Sequence, residues 1–173
     1  MASPLGRLLR LAATLLAALA VLGVASCSPR TQAPPRFEPS ETAFEVLDLV
    51  NEARSTPRTC GEHTFSAVPP LTLAAKLSAA AQAHSEDMFV NTFMGHVGAD
   101  GSSFIQRAER AGYAWSALAE NVAFGYTDVP SVVAGWLSSP GHCENIMNAR
   151  VTELGVGLEG AYWTQLFGAP ASG

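Results

Sequence analysis

Leu154-Gly155-Val156-Gly157-Leu158-Glu159-Gly160-Ala161-Tyr162-Trp163-Thr164-Gln165-Leu166-Phe167 is the stretch that decides the fold class. Two apolar, β-prone runs flank Glu159-Gly160, which reads as a hairpin turn, so two adjacent antiparallel strands close the domain. A further strand is expected over residues 121–126, ahead of a helix opened by Asp128 and Pro130 that carries Val132, Val133 and Trp136 and stops at Pro140-Gly141. A short helical turn follows over 143–148.

Working back toward the N-terminus, helical signals dominate. Thr42 and Glu45 have the spacing of a capping box for a helix over 43–54, with Ala43, Val46, Leu47, Val50 and Arg54 on one face. A long alanine-rich helix over 73–93 puts Leu73, Leu77, Ala80, Ala81, His84 and Met88 on one side. Ser102 or Ser103 caps a short helix through Phe104, Arg107 and Ala108, and Gly112 ends it. Helices before and between strands imply an α+β class: an antiparallel sheet covered by helices in three layers.

The first residues speak to delivery. Arg7 and Arg10 precede Leu11 to Val24, an uncharged run of Leu, Ala, Val, Thr and Gly. That run is shorter than the roughly 20 apolar residues of a membrane-spanning helix, so it reads as a signal peptide, residues 1–26. Val24-Ala25-Ser26-Cys27 resembles a bacterial lipobox, in which Cys27 is lipidated and becomes the mature N-terminus; the alternative is an ordinary cleavage site beside an incidental cysteine. Lipid anchoring to the outer face of a bacterial membrane is the expectation, with Cys27 supplying the contact to that surface. Residues 27–39, with Pro29, Pro34, Pro35 and Pro39, read as an extended linker. One domain over 40–168 and a tail over 169–173 complete the chain.

Composition narrows the function classes. The chain has a formal charge of −5, and loss of the leader with its two arginines takes this to about −7. Without a basic stripe, nucleic acid is not an expected partner. With Cys27 assigned to lipid, Cys60 and Cys143 remain as an even pair, expected to form a disulfide in an oxidising compartment.

Three residues at element ends carry chemistry: His96, Glu120 and His142. Two imidazoles and a carboxylate are ligand types for a Zn-like divalent cation and leave a coordination position open. Their spacing forms no short motif, and isolated surface histidines with a salt-bridged glutamate remain the alternative. His84, on an apolar helix face, reads as a structural side chain, and His63 as solvated. Ser85, Ser138 and Ser139 lack a G-x-S-x-G context, which disfavours a serine hydrolase.

Ordered segments add a resemblance: His84-Ser85-Glu86-Asp87-Met88, Phe93-Met94-Gly95-His96, Ala119-Glu120-Asn121-Val122-Ala123, Trp136-Leu137-Ser138-Ser139-Pro140-Gly141-His142, and Glu153-Leu154-Gly155-Val156-Gly157 through Phe167. In order and distance they are similar to the bacterial SCP-like branch of the CAP superfamily, which includes the cysteine-rich secretory and pathogenesis-related proteins. The resemblance implies an α-β-α sandwich with a central antiparallel sheet and a cavity where two histidines and two acids meet. His96, Glu120 and His142 match three of those positions; Ser139 stands where many relatives carry the second acid. The implied function is a non-catalytic binding module for a small hydrophobic or cell-envelope ligand, with no required cofactor and an optional divalent cation, while enzymatic activity stays open. Two alternatives stand beside it: a metal-dependent hydrolase with Glu120 as base, and a structural envelope protein with a vestigial cavity.

Overall fold

The computed structural model describes residues 37–172; the signal segment, Cys27 and most of the expected linker lie outside the described residues. In chain order the elements are α1 (Glu41–Arg54), β1 (Arg58–Cys60), β2 (His63–Phe65), β3 (Thr72–Leu73), α2 (Ala75–Asn91), α3 (Phe104–Arg110), β4 (Trp115–Phe124), α4 (Val129–Ser138), α5 (Pro140–Ile146), β5 (Glu153–Glu159) and β6 (Tyr162–Pro170). The main sheet has the order β3-β5-β6-β4. β6 pairs antiparallel with both β5 and β4, and only the two-residue β3 runs parallel to β5. The α+β expectation holds, with a sheet that is antiparallel apart from that short edge.

Alternation along β6 makes the layers. Trp163 and Phe167 face a core with Val46 and Val50 of α1, Val133 and Trp136 of α4 and Ile146 of α5. Leu166 faces the other way, onto Leu77, Ala80 and Ala81 of α2.

Glycine sets how closely α2 approaches. A side-chain carbon on Gly155 would collide with the backbone at Leu77 and Ser78, and one on Gly157 with the backbone at Ala81 and Gln82. Gly155 and Gly157 share one strand face, and Leu77 and Ala81 share one helix face. The strand repeat of two residues and the helix repeat of four have nearly equal rise, about 6 to 7 Å, so α2 lies flat along β5.

Several local expectations are corrected. Ser40 caps α1 by accepting from the Ala43 amide, so Thr42 lies inside the first turn and the Thr42–Glu45 box does not form. α2 begins only at Ala75 because Thr72 and Leu73 are taken by pairing with β5. β4 starts at Trp115, six residues before the expected 121: its alanine-rich first half has little strand character of its own and is held by pairing with β6. Pro140 ends α4 and also opens α5 as its first residue. The loop after α1 contains the hairpin β1–β2, and β6 runs on through Ala169 and Pro170. Ser103 caps α3 in a full capping box with Gln106, and Asp128 caps α4, as expected.

Two long-range ties hold the α5 side. Cys60 and Cys143 are disulfide-bonded across 83 residues, a loop for which chain entropy gives on the order of 4 kcal/mol. Arg54 is 1 % exposed. Its guanidinium donates to the carbonyls of Pro69 (2.8 Å), Ile146 (2.6 Å) and Asn148 (3.0 Å), tying α1 to the end of α5. Burial pushes its pKa down to about 10. Among the described residues no helix is long and apolar enough to cross a membrane.

His84 is fully buried in α2 and donates from Nε2 to the Gly95 carbonyl at 2.8 Å, while Nδ1 has no partner. Burial lowers its pKa below 6.5, reinforced by the charge of Arg107 and opposed by Glu120 and Asp87.

Gly157→Ala should destabilise the domain by about 1 to 3 kcal/mol or more in urea unfolding, because the obstacle is helix backbone; a neutral result would show that α2 can lift away. For His84, a depressed pKa means stability present above the unfolded value and lost as pH falls through about 6.5 toward the folded value. His84→Gln, which keeps a donor for Gly95, should therefore narrow its stability gap to wild type as pH falls from 7.5 to 5. A pH-independent gap would refute the neutral buried imidazole.

Candidate functional site

The site straddles β4, an edge strand of the main sheet. Successive side chains of a strand point to opposite faces, so Glu120 and Asn121 reach to different sides. Glu120 turns toward the α2–α3 side, where its neighbour Val122 packs with Met88. Asn121 turns toward α5, its amide donating to the His142 carbonyl (3.2 Å) and to Gln165 Oε1 (3.0 Å).

The Glu120 side chain is 1 % exposed. Its Oε1 accepts from His96 Nδ1 at 2.9 Å and its Oε2 from Arg107 Nη2 at 2.6 Å. His96 lies in the loop between α2 and α3, with its side chain half-exposed. The loop is held at both ends: His84 binds the Gly95 carbonyl, Asp87 accepts from the Ala99 amide, and Arg107 donates to the carbonyls of His96 and Ser102. The bond to Glu120 raises the His96 pKa above its ordinary value against the opposing effect of burial.

On the other side of the edge, His142 is half-buried on the first turn of α5, next to the disulfide-bonded Cys143. Burial lowers its pKa, and the charge of His96 lowers it further. Asn145 of α5 donates to Asn121 Oδ1 (2.9 Å) and to the Glu120 carbonyl (3.2 Å), while Trp136 Nε1 donates to the Val122 carbonyl (3.3 Å). Side chains of α4 and α5 thereby occupy carbonyls on the free edge of β4.

The expected three-ligand set of His96, Glu120 and His142 is not assembled. Among the described residues no group of three or more His, Cys, Asp or Glu is placed to hold a metal ion. Glu120 is the reason: its two oxygens are engaged by His96 and Arg107 and face away from solvent. Glu120 lies behind His96, and the next residue, Asn121, holds the backbone carbonyl of His142. Ser139 joins α4 to α5, and its hydroxyl makes no capping bond. His63 is largely exposed and pairs with Glu144 on the surface at 2.8 Å. A groove of about 450 Å³ between α2 and α3, lined by Ala80, Ala83, Asp87, Asp100 and Arg107, shares Arg107 with the site but no histidine.

Arg107 and the Asn121–Asn145–Gln165 amides escaped the sequence reading. Arg107 had a signal: it falls on the apolar face of α3 beside Ala108, where a charge must be paired. The amides had none, because their partners are remote in sequence.

The cysteine-rich secretory protein family (CAP) matches residues 47–167. The Bacillus subtilis membrane protein YlbC, uncharacterized, is 40% identical over 84 residues, 49% of this chain and 24% of its own. Bacillus subtilis YkwD, also uncharacterized, is 30% identical over 141 residues, 79% of this chain and 55% of its own. The chain thus spans about a quarter of the one and about half of the other. Among solved structures, an extracellular protein with an SCP domain from Bacillus anthracis superposes with a TM-score of 0.65 at 29% identity, over 73% of this chain and 40% of that one. An outer surface protein of Borrelia burgdorferi shares the fold with a TM-score of 0.59 at 20% identity, over 74% of this chain and 89% of that one. Profile, relatives and fold agree, and the chain belongs to the CAP family of cysteine-rich secretory proteins.

Proposed function

We propose that this protein is an extracytoplasmic binding module, anchored through lipid on Cys27, whose working surface is the imidazole pair His96 and His142 at the edge of β4. The observation that carries this reading is the hydrogen bond from His96 Nδ1 to Glu120. It fixes the ring and leaves Nε2, on a side chain 52% exposed, as the free nitrogen. A carboxylate behind a histidine is the arrangement that orients an imidazole toward a cation and raises its basicity. Two imidazoles supply two ligands for a Zn-like ion, and the remaining positions are left to water or to an oxygen donor of a small envelope ligand.

The hydrolase alternative fits less well. A general base must reach the water it deprotonates, whereas Glu120 is enclosed and bonded on both oxygens. The extracellular and outer-surface relatives support placement outside the cytoplasm.

Calorimetric titration of the purified protein with Zn²⁺ tests the site. Binding should be weaker than at a closed four-ligand centre. His96→Ala and His142→Ala should each lose most of it while staying folded, and His63→Ala should retain it. Protons compete with the metal for imidazole, so affinity should begin to fall as pH drops through the raised value of His96 and fall further through the lowered value of His142. Unchanged uptake in a His96→Ala/His142→Ala double variant would leave the vestigial-cavity reading ahead.

Anchoring is tested separately. Cys27→Ala should abolish labelling by palmitate and release the protein from membranes; persistent labelling would end the lipobox reading.

A further inference from the structure

We infer that Arg107 is a positioning residue that decides which nitrogen of His96 faces the ligand. The inference deepens the reading above and rests on it for the importance of that nitrogen. Arg107 is 8% exposed. Nη2 donates to Glu120 Oε2 at 2.6 Å and to the His96 carbonyl at 3.2 Å, and Nη1 donates to the Ser102 carbonyl at 2.8 Å. One guanidinium thus grips the carboxylate that holds the His96 ring and the backbone that carries it.

The polarity of this chain matters as much as its rigidity. Guanidinium only donates, so Glu120 must accept from Arg107 on one oxygen. The carboxylate has no proton to give and accepts again on the other, from His96 Nδ1–H. The proton on a neutral His96 ring is thereby assigned to Nδ1, and Nε2 presents a lone pair outward. Without Arg107, the carboxylate loses the partner that fixes its plane, and the loop loses two of its carbonyl anchors. Lysine is a poor substitute, because a single ammonium cannot match a planar fork spread over three oxygens.

A sharper consequence comes from replacing the acceptor. In Glu120→Gln the amide has one acceptor oxygen, which Arg107 claims. The amide NH₂ then faces His96, so Nδ1 must accept and the proton moves to Nε2. This inversion occurs only if Arg107 sets the direction of the chain.

The experiment is ¹⁵N NMR of the histidine rings in the full protein and its variants, at a pH above the raised value of His96, where the rings are neutral. Thermal unfolding confirms that each variant is folded, and Zn²⁺ titration runs in parallel. Wild type should show a single Nδ1–H tautomer for His96. Glu120→Gln should convert it to Nε2–H, and Arg107→Gln should give a mixture with Zn²⁺ affinity reduced about 10- to 100-fold. Arg107→Lys should restore part of both, and Arg110→Gln, which removes an exposed cation of the same helix, should change neither. The single Nδ1–H tautomer persisting in either Glu120→Gln or Arg107→Gln would overturn the inference. The tautomer result decides this point even if wild type binds no Zn²⁺, an outcome that would count against the proposed function alone.

Discussion

A carboxylate closed off from water has to be paired, and Glu120 is that carboxylate here. Its side chain is 1% exposed, a position that an isolated charge does not occupy without a cation or several donors. Arg107 answers from α3 and His96 from the preceding loop, so the pair organises that whole side of β4. The same rule meets a different answer at Arg54, a buried cation surrounded by neutral carbonyls of Pro69, Ile146 and Asn148 in place of a carboxylate. Those carbonyls lie around the end of α5 and beside the α1–β3 connection. The two arginines thus fix the loop of one histidine and the helix of the other.

Position on an edge strand turns this packing into a site. A central strand would have its backbone polar groups consumed by neighbours on both sides; β4 has β6 on one side only. Asn145 and Trp136 take edge carbonyls on the other, and side chains from both faces can meet around the strand. Glu120 and Asn121, adjacent in sequence and opposed in direction, each hold one histidine, the first by its ring and the second by its backbone carbonyl. The floor beneath them is stiff because Gly155 and Gly157 let α2 lie directly on β5, and the Cys60–Cys143 bond keeps the first turn of α5 in place.

Much of this was legible in the sequence where the signal is local. The hairpin about Glu159-Gly160, the caps at Ser103 and Asp128 and the stop at Gly112 are all decided within a few residues. Arg54 and Arg107 were legible in part: each falls on an apolar helix face, which marks a buried charge but not its partner. The first half of β4 was not legible, since Trp115-Ser116-Ala117-Leu118-Ala119 becomes a strand only because β6 pairs with it. The surroundings of Glu120 were not legible for a related reason. Residue type marks Glu120 as a ligand, but whether its oxygens are free depends on Arg107, thirteen residues away.

The histidines on the two sides of β4 are also driven apart in their acidity. Glu120 raises His96, whereas burial and the charge of His96 lower His142. The contribution of His96 to stability is present below its unfolded value near 6.5 and is lost as pH rises through its elevated folded value, while that of His142 is present above 6.5 and lost on acidification. Between the two folded values the pair carries one positive charge, on His96, beside a neutral His142. On a chain whose formal charge is −5, protonated His96 and Arg107 together outweigh the single charge of the Glu120 carboxylate between them, so in that interval this edge carries local positive charge.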